Sequence, residues 1–165
     1  MNPTRVWHWP VSSGNNPMTD ACVLCNASNE PLIWQNEQVR VIDAADADYP
    51  CYNRVIWQLH VKELTDLSPD EQMRFMRFVL CVESLQRQVL NPDKINLAQF
   101  GTMVPHLHWH IIPRFRQDRH FPGSTWGTPR FTQSEAPAEW QDHLSQMNQL
   151  KPAYHQALAR ALAEI

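Results

Sequence analysis

The sequence has no run of about 18 consecutive apolar residues, the length that indicates a membrane-spanning helix. It also has no excess of positive charge: its formal net charge is −3 at pH 7, whereas bulk binding of nucleic acid requires a broad basic surface. Residues 1–17 lack the apolar segment of a secretory signal. We therefore expect a cytoplasmic protein that binds neither a membrane nor nucleic acid.

Cysteine is scarce, with four residues in 165. Cys22 and Cys25 form a Cys-x-x-Cys pair, a spacing that in the cytosol favours metal binding or redox chemistry over a structural disulfide. Cys81 falls in an apolar helical run and is expected to be a small core residue. The pattern around Cys51 assigns that residue no role, so the cysteines indicate one candidate metal or redox site near the N-terminus.

The remaining pattern predicts an antiparallel α+β domain. Short apolar segments at 32–35 and 39–42 predict a hairpin, and further strands are expected at 52–59, 94–100 and 104–112. Ser68 followed by Pro69 and Glu71 predicts a capped helix start, and the helix is expected to end at Asn91-Pro92. Strands grouped around one long helix favour an α+β fold over alternating βαβ units.

The chain divides into three parts by composition. Residues 1–17 are rich in Pro, Gly, Asn and Ser and are expected to be a flexible N-terminal extension, and residues 18–130 form the compact domain. Residues 131–165 are expected to be a C-terminal helical extension, with one or two helices broken at Lys151-Pro152.

Three histidines alternate in the segment VPHLHWHIIPR at 104–114. In a strand, side chains two residues apart share a face, so His106, His108 and His110 are predicted to lie side by side. Three imidazoles are costly to bury in a core and have no purpose on a bare surface. The pattern therefore indicates phosphate chemistry or metal binding, and it leaves both open.

A neutral imidazole can attack phosphorus and form a covalent phosphoramidate. The attacking nitrogen needs its lone pair, so the other ring nitrogen must donate its proton to a fixed acceptor such as a backbone carbonyl. His108, with a histidine on either side, suits this role. Histidines at this spacing also bind metals in cupin-type barrels, but the chain lacks the carboxylate partner and Gly-rich strands of such barrels, and its long helix argues against them.

The segment NLAQFGTMVP at 96–105, followed by HLHWHIIPR, resembles the histidine triad (HIT) family of nucleotide hydrolases and transferases. The signature of that family is His-x-His-x-His followed by two apolar residues, and it is preceded by an Asn and a Gly-containing loop. Residues 52–64 resemble the family strand that ends in a histidine before the long helix. Cys22-x-x-Cys25 resembles the N-terminal pair of many bacterial members. The resemblance covers roughly residues 20–128 and implies a HIT-like antiparallel five-stranded sheet with one long helix.

The resemblance also implies roles for individual residues. His108 would be the nucleophile that takes the α-phosphate of a nucleotide, His110 a phosphate or leaving-group contact, and Asn96 a residue that steadies the phosphate or the reacting histidine. The nucleotide and phosphate contacts implied are Tyr52 or Asn53, Gly101, Thr102 and Met103. Many members carry an amide or hydroxyl where this chain has Thr102 and Met103; since Met103 has no donor, Thr102 is the alternative source of leaving-group assistance.

Metal-containing members of the family, and the related galactose-1-phosphate uridylyltransferases, bind zinc through positions that this chain fills. The implied ligands are Cys22, Cys25, His60 and His106. Two thiolates and two imidazoles suit tetrahedral zinc, and four protein ligands leave no open position, so the zinc would be structural. Family members are usually two-fold dimers joined through the long helix and a strand, so a homodimer is expected.

Two functions from different classes remain. The first is a hydrolase or transferase that cleaves a phosphoanhydride or phosphoramidate bond through a nucleotidyl-His108 intermediate, such as a diadenosine polyphosphate hydrolase or a nucleoside phosphoramidase. The second is a nucleotide-binding scaffold with little or no turnover, which the apolar Met103 keeps open. Two further predictions concern single residues. Arg54 is expected in a surface ion pair rather than on phosphate. Trp126 is expected either to cover the base of a nucleotide or to pack in the core.

Overall fold

A computed structural model describes residues 21–165, so the extension expected at 1–17 lies outside the described residues. The elements are β1 (Leu32–Gln35), β2 (Val39–Asp43), β3 (Asn53–Trp57), α1 (Pro69–Leu90), β4 (Lys94–Ala98), β5 (His108–Arg114) and α2 (Ala138–Ala163), with 3₁₀ turns at Leu64–Asp66 and Gln133–Glu135. The five strands form one antiparallel sheet in the order β1-β2-β3-β5-β4, which confirms the predicted α+β fold. Within the described range, no helix is long and apolar enough to cross a bilayer.

The long helix α1 begins and ends where the sequence predicts. The Ser68 hydroxyl accepts from the Glu71 N–H at 3.4 Å, and the Glu71 carboxylate accepts from the Ser68 N–H at 2.9 Å. This reciprocal pair is a capping box. Asn91, in the left-handed conformation at φ 49°, ends the helix before Pro92.

The sheet separates the hydrophobic core from the candidate site. Val55, Trp57 and Ile111 face α1 and α2, where they belong to one buried cluster with residues of both helices. Their neighbours point to the other side, where Arg54 lies opposite His110 and Ile56 opposite His108. Because side chains alternate along the strands, one face of the sheet packs against the two helices and the other carries the candidate site residues.

Strand β5 begins at His108, so the prediction that it starts at residue 104 is wrong. Pro105 has no N–H for the ladder, and the His106 N–H donates to the Val104 carbonyl at 2.8 Å, which bends the chain. Leu107 then donates to the Val61 carbonyl at 2.7 Å. Only His108 and His110 share the strand face, and His106 lies in the bend before them.

Helix α2 runs through Pro152 without the break that the sequence favours there. Met147 lies before the proline and Tyr154 and Leu158 lie after it, and all three are buried in the same cluster as α1. Packing on both sides of the proline therefore outweighs its local cost.

We expect Pro152→Ala to raise the free energy of unfolding by about 1–3 kcal/mol, because an interior proline removes a helix hydrogen bond and costs about 3 kcal/mol relative to alanine. Pro152 is exposed, so the change leaves no cavity. Urea denaturation measures the difference. Gln156→Ala, at another exposed position of α2, is the control and should change stability by less than about 0.5 kcal/mol. An unchanged or lower stability of Pro152→Ala contradicts this expectation.

Candidate active site and metal site

His108 is held in the tautomer that a nucleophile needs. Its Nδ1 lies 2.6 Å from the backbone carbonyl of His106. Since a carbonyl only accepts, Nδ1 carries the proton and Nε2 keeps its lone pair. Burial is the main cause that lowers the pKa of His108. The ring is therefore neutral at pH 7 and can attack an electrophile.

His110 lies beside it, with the two rings 4.7 Å apart. Burial first, and then the electrostatic effects of His108 and Arg54, lower the pKa of His110 to about 3. The Tyr52 hydroxyl is hydrogen-bonded to Nδ1 of His110, and burial raises the pKa of that phenol. The phenol therefore keeps its proton and can donate a hydrogen bond to Nδ1. With Nδ1 as the acceptor, the proton of neutral His110 is on Nε2, which is then a donor. Of the two candidates at 52 and 53, Tyr52 is the one whose side chain contacts a triad histidine.

Arg54 supplies positive charge on the same face. It lies opposite His110 in the register between β3 and β5, and its guanidinium sits over the Tyr52 ring at 5.7 Å. Within residues 21–165 it forms no ion pair, and its buried Nε has no hydrogen-bond partner. The expected surface ion pair is therefore wrong. The sequence signal that could have placed Arg54 at the site was its position two residues after Tyr52 on the predicted strand 52–59, which puts both side chains on one face.

A cavity of about 430 Å³, here named the nucleophile pocket, opens in front of the two histidines. Arg54 and the loop 100–104 line it together with Ser124 and Trp126. Gly101, Thr102 and Met103 are thus among the residues that line the pocket, and their contact with a nucleotide stays a prediction. Met103 is 94% exposed, so little of it is packed against the protein. A Cβ on Gly101 would approach no atom closer than 3.8 Å, so packing within the protein does not require glycine there.

Neither Tyr52 nor Asn53, the two predicted alternatives, lines this pocket. The Asn53 side chain points to the helices, where Oδ1 accepts from the Tyr154 hydroxyl at 2.6 Å and from Gln86 at 3.1 Å. Because consecutive strand residues face opposite sides, the contact of Tyr52 with His110 requires Asn53 in the core.

The structure also does not bring Asn96 to the histidines. Asn96 is on the site face, but it pairs with Ile112, and Ala98 is the residue opposite His110. Its Oδ1 accepts from Nη1 of Arg114 at 2.7 Å. Asn96 is thus offset from His110 by two residues along the sheet, and its recorded side-chain hydrogen bond is to Arg114. The role predicted for Asn96, to steady the phosphate or the reacting histidine, stays a prediction.

Two aromatic side chains form a wall of the nucleophile pocket that sequence reasoning largely missed. Phe100 and Trp126 meet edge to face with centroids 4.8 Å apart, and Trp126 lies 5.5 Å from His110. They are 53% and 54% exposed, so neither is a core residue. Trp126 was a candidate for covering a base, whereas Phe100 was assigned only to a strand.

Four side chains of the predicted metal site converge. The donor atoms of Cys22, Cys25, His60 and His106 all lie within 4.8 Å of one another. Sγ–Nδ1 separations are 3.3 Å for Cys25–His60, 3.4 Å for Cys25–His106 and 3.5 Å for Cys22–His106. Zinc bond lengths of about 2.3 Å to sulfur and 2.0–2.1 Å to nitrogen give tetrahedron edges of about 3.6 Å. The spacing therefore fits a tetrahedral zinc ion.

The surroundings of the four ligands also fit a cation. Nε2 of His106 lies 2.6 Å from the Trp57 carbonyl and donates to it, which leaves Nδ1 unprotonated toward the thiols. Burial, followed by the Cys22 thiol, raises the pKa of the Cys25 thiol to about 11, so two adjacent thiolates need a positive ion between them.

Comparison with known proteins assigns the family. The HIT domain family model matches residues 26–117, more than half of the chain. The chain therefore belongs to the HIT family, as the triad segment indicated. No curated protein sequence gives a significant match.

Solved structures show the same fold. A histidine triad protein from Marinobacter aquaeolei VT8 is 24% identical, with 81% of this chain and 93% of that chain covered and a TM-score of 0.58. A histidine triad protein from Bradyrhizobium japonicum is also 24% identical, with coverage of 86% and 99% and a TM-score of 0.55. A structure described as a hypothetical histidine triad nucleotide-binding protein from Sulfolobus tokodaii strain7 is 18% identical, with coverage of 84% and 95% and a TM-score of 0.56.

Proposed function

We propose that this protein is a nucleotide hydrolase or nucleotidyl transferase that cleaves a phosphoanhydride or phosphoramidate bond at the α-phosphate through a covalent nucleotidyl-His108 intermediate. The observation that carries the proposal is the 2.6 Å hydrogen bond from Nδ1 of His108 to the His106 carbonyl. It leaves a lone pair on Nε2 of a residue that lines a pocket of about 430 Å³. A ligand of nucleotide size fits a cavity in this range.

In the first step, Nε2 of His108 attacks phosphorus and forms an N–P bond. The bond from phosphorus to the leaving group breaks, and its electron pair departs with the leaving group. Positive charge develops on the imidazole, and the His106 carbonyl stabilises it through Nδ1–H. Arg54 and Nε2–H of His110 donate to the non-bridging phosphate oxygens as their negative charge increases.

In the second step, water attacks the same phosphorus and the N–P bond breaks. The bonding pair returns to Nε2, and the proton of the water passes to solvent. An alcohol or amine in place of water would give transfer instead of hydrolysis. Both outcomes need the α-phosphate to be bound in the same position, and the residues around His108 would hold it there.

The test is to trap the intermediate. The protein is incubated with a panel of nucleotides labelled at the α-phosphate, quenched, and examined for an acid-labile adduct by peptide mapping. We expect an adduct on the peptide that contains residue 108 in the wild type and none in His108→Asn. Protection from thermal unfolding by nucleotides, without adduct or hydrolysis across the panel, would instead establish the nucleotide-binding scaffold.

We expect Arg54→Ala to lower kcat/KM by about 10²-fold, because removing one preorganised donor from developing negative charge costs about this much. Steady-state kinetics on the best substrate of the panel measures it. Arg74→Ala is the matched control, since Arg74 is an exposed arginine of α1 that bonds Gln38. Equal activity of the two variants would exclude Arg54 from phosphate binding.

We further propose that Zn²⁺ is held by Cys22, Cys25, His60 and His106 in a structural role. A four-ligand site has no open position for substrate, so the ion would fasten the N-terminal segment to the bend before β5. We also propose a cytoplasmic location, where a Cys-x-x-Cys pair favours metal binding over a structural disulfide.

A homodimer is proposed as well. Strand β4 is an edge of the sheet with unpaired backbone groups, and α1 exposes Met73 and Leu80. Light scattering coupled to size exclusion should give twice the mass of the chain; a mass equal to one chain at micromolar concentration contradicts the dimer.

A further inference from the structure

A second cavity, of about 520 Å³, adjoins the nucleophile pocket. The two share Ser124 and Trp126 in their linings, so they are direct neighbours. We name the second one the leaving-group cavity. It lies over β4 on the site face of the sheet, and its lining includes Lys94, Asn96, Arg114, Ser124 and Trp126.

The polar groups of this cavity are donors. Arg114 can only donate, and its Nη1 bonds Oδ1 of Asn96, so the Nδ2 donors of Asn96 remain for the cavity. The Ser124 hydroxyl accepts from the backbone N–H of Trp126 at 3.2 Å, so the hydroxyl proton of Ser124 remains free to donate to a ligand. A cavity lined by unused donors favours a ligand with many acceptor oxygens.

The cavity also carries uncompensated positive charge. Lys94 and Arg114 lie opposite each other across β4 and β5. Arg114 is paired with Asp118 at 2.7 Å, whereas Lys94 has no carboxylate partner within residues 21–165. The ammonium group of Lys94 is therefore available to pair with an anion bound in the cavity.

The Arg114 side chain holds the wall of the leaving-group cavity in place. It is buried, and its Nη2 donates to the Gly123 carbonyl at 3.0 Å while Nε bonds Asp118. The guanidinium thereby fastens the segment that carries Ser124 and Trp126 to the sheet and fixes the boundary between the two cavities.

We propose that the leaving-group cavity binds a phosphate-bearing leaving group, held by Lys94, Asn96 and Ser124, while the α-phosphate lies at His108. This inference rests on the proposed function and narrows its substrates to nucleotides whose α-phosphate is linked to further phosphates. A polyphosphate departs as a stable anion and needs no proton from the protein. A neutral His110 is compatible with that, because it offers a hydrogen bond and not an acidic proton.

Binding of inorganic tripolyphosphate tests the cavity without turnover. By titration calorimetry, Lys94→Met should weaken binding about tenfold, the factor that corresponds to about 1.4 kcal/mol. Lys62→Met, which removes an exposed lysine outside both cavities, should not change the affinity. Arg54→Ala should leave the Lys94-dependent site intact. Absence of binding, insensitivity to Lys94→Met, or loss of all binding in Arg54→Ala overturns the proposal.

Turnover tests the substrate class. Two adenylyl substrates are compared: diadenosine tetraphosphate, which releases a nucleoside triphosphate, and the p-nitrophenyl ester of AMP, which releases no phosphate. Lys94→Met should lower kcat/KM about tenfold for the first and leave the second within twofold. Equal loss on both substrates overturns the proposal. If neither substrate forms an adduct on His108 in the wild type, the proposed function fails, and the tripolyphosphate titration still decides whether the cavity binds phosphate.

Discussion

His108→Asn is expected to lower kcat/KM by about 10³–10⁵-fold, the range typical of removing a catalytic nucleophile. Asparagine keeps a donor, Nδ2, near the position of Nδ1 of histidine, so it can retain the bond to the His106 carbonyl. It has no lone-pair nitrogen at the position of Nε2. The substitution therefore removes the attacking atom while preserving the buried contact that orients the side chain.

Steady-state kinetics and thermal unfolding together make this prediction specific. The variant should unfold at a midpoint close to that of the wild type and still bind the nucleotide substrate, because Arg54 and the loop 100–104 are unchanged. A variant that keeps more than about a tenth of the wild-type kcat/KM would show that the reaction does not pass through His108.

Cys22→Ser is expected to reduce bound zinc from about one ion per chain to a small fraction, and to lower the free energy of unfolding by about 3 kcal/mol or more. The sulfur of Cys22 lies 3.5 Å from Nδ1 of His106, and its loss opens the tetrahedron on the side of β5. Elemental analysis of purified protein and urea denaturation measure the two effects.

Cys81→Ser is the matched control, since Cys81 is half-buried on α1 and outside the metal cluster. It should retain zinc and lose much less stability. Purified wild-type protein with all four ligands reduced and intact, and with no bound metal, would refute the metal site. Treatment of the wild type with a chelator should lower its free energy of unfolding as Cys22→Ser does. The same treatment should change the stability of the Cys22→Ser variant very little.

Local chemistry explains which parts of the fold the sequence could predict. The limits of α1 follow from Ser68, Glu71 and Asn91, whose effects act within one helical turn. The β1–β2 hairpin follows from two apolar segments around Asn36, whose side chain accepts from the N–H groups of Gln38 and Val39. In each case the determining contacts lie within a few residues.

Long-range packing explains what the sequence could not predict. Alternation alone extended β5 to residue 104, but the bend at His106 depends on pairing of Leu107 with Val61. Helix α2 continues past Pro152 because buried residues lie on both sides of it.

The candidate site shows the same division. Its histidines and candidate metal ligands could be predicted because their residue types are unusual and their spacing is specific. The offset of Asn96 from His110 depends on the register between β4 and β5, which is not visible in either segment alone. Phe100 and Trp126 were less accessible to prediction, because the polar segment that carries Trp126 has no periodicity to place it beside β5.

His106 contributes to both sites by different atoms: its ring faces the cysteines, and its carbonyl accepts from His108. The ring is specific to histidine, whereas every amino acid has the carbonyl. Substitutions at 106 therefore separate the two contributions. His106→Cys keeps both a side chain that can bind zinc and the backbone carbonyl that accepts from His108. His106→Ala keeps only the carbonyl, in a segment that the proposed zinc ion no longer holds. The difference in kcat/KM between these two variants would measure how far catalysis at one imidazole depends on the proposed zinc ion, which as a structural ion would not contact the substrate.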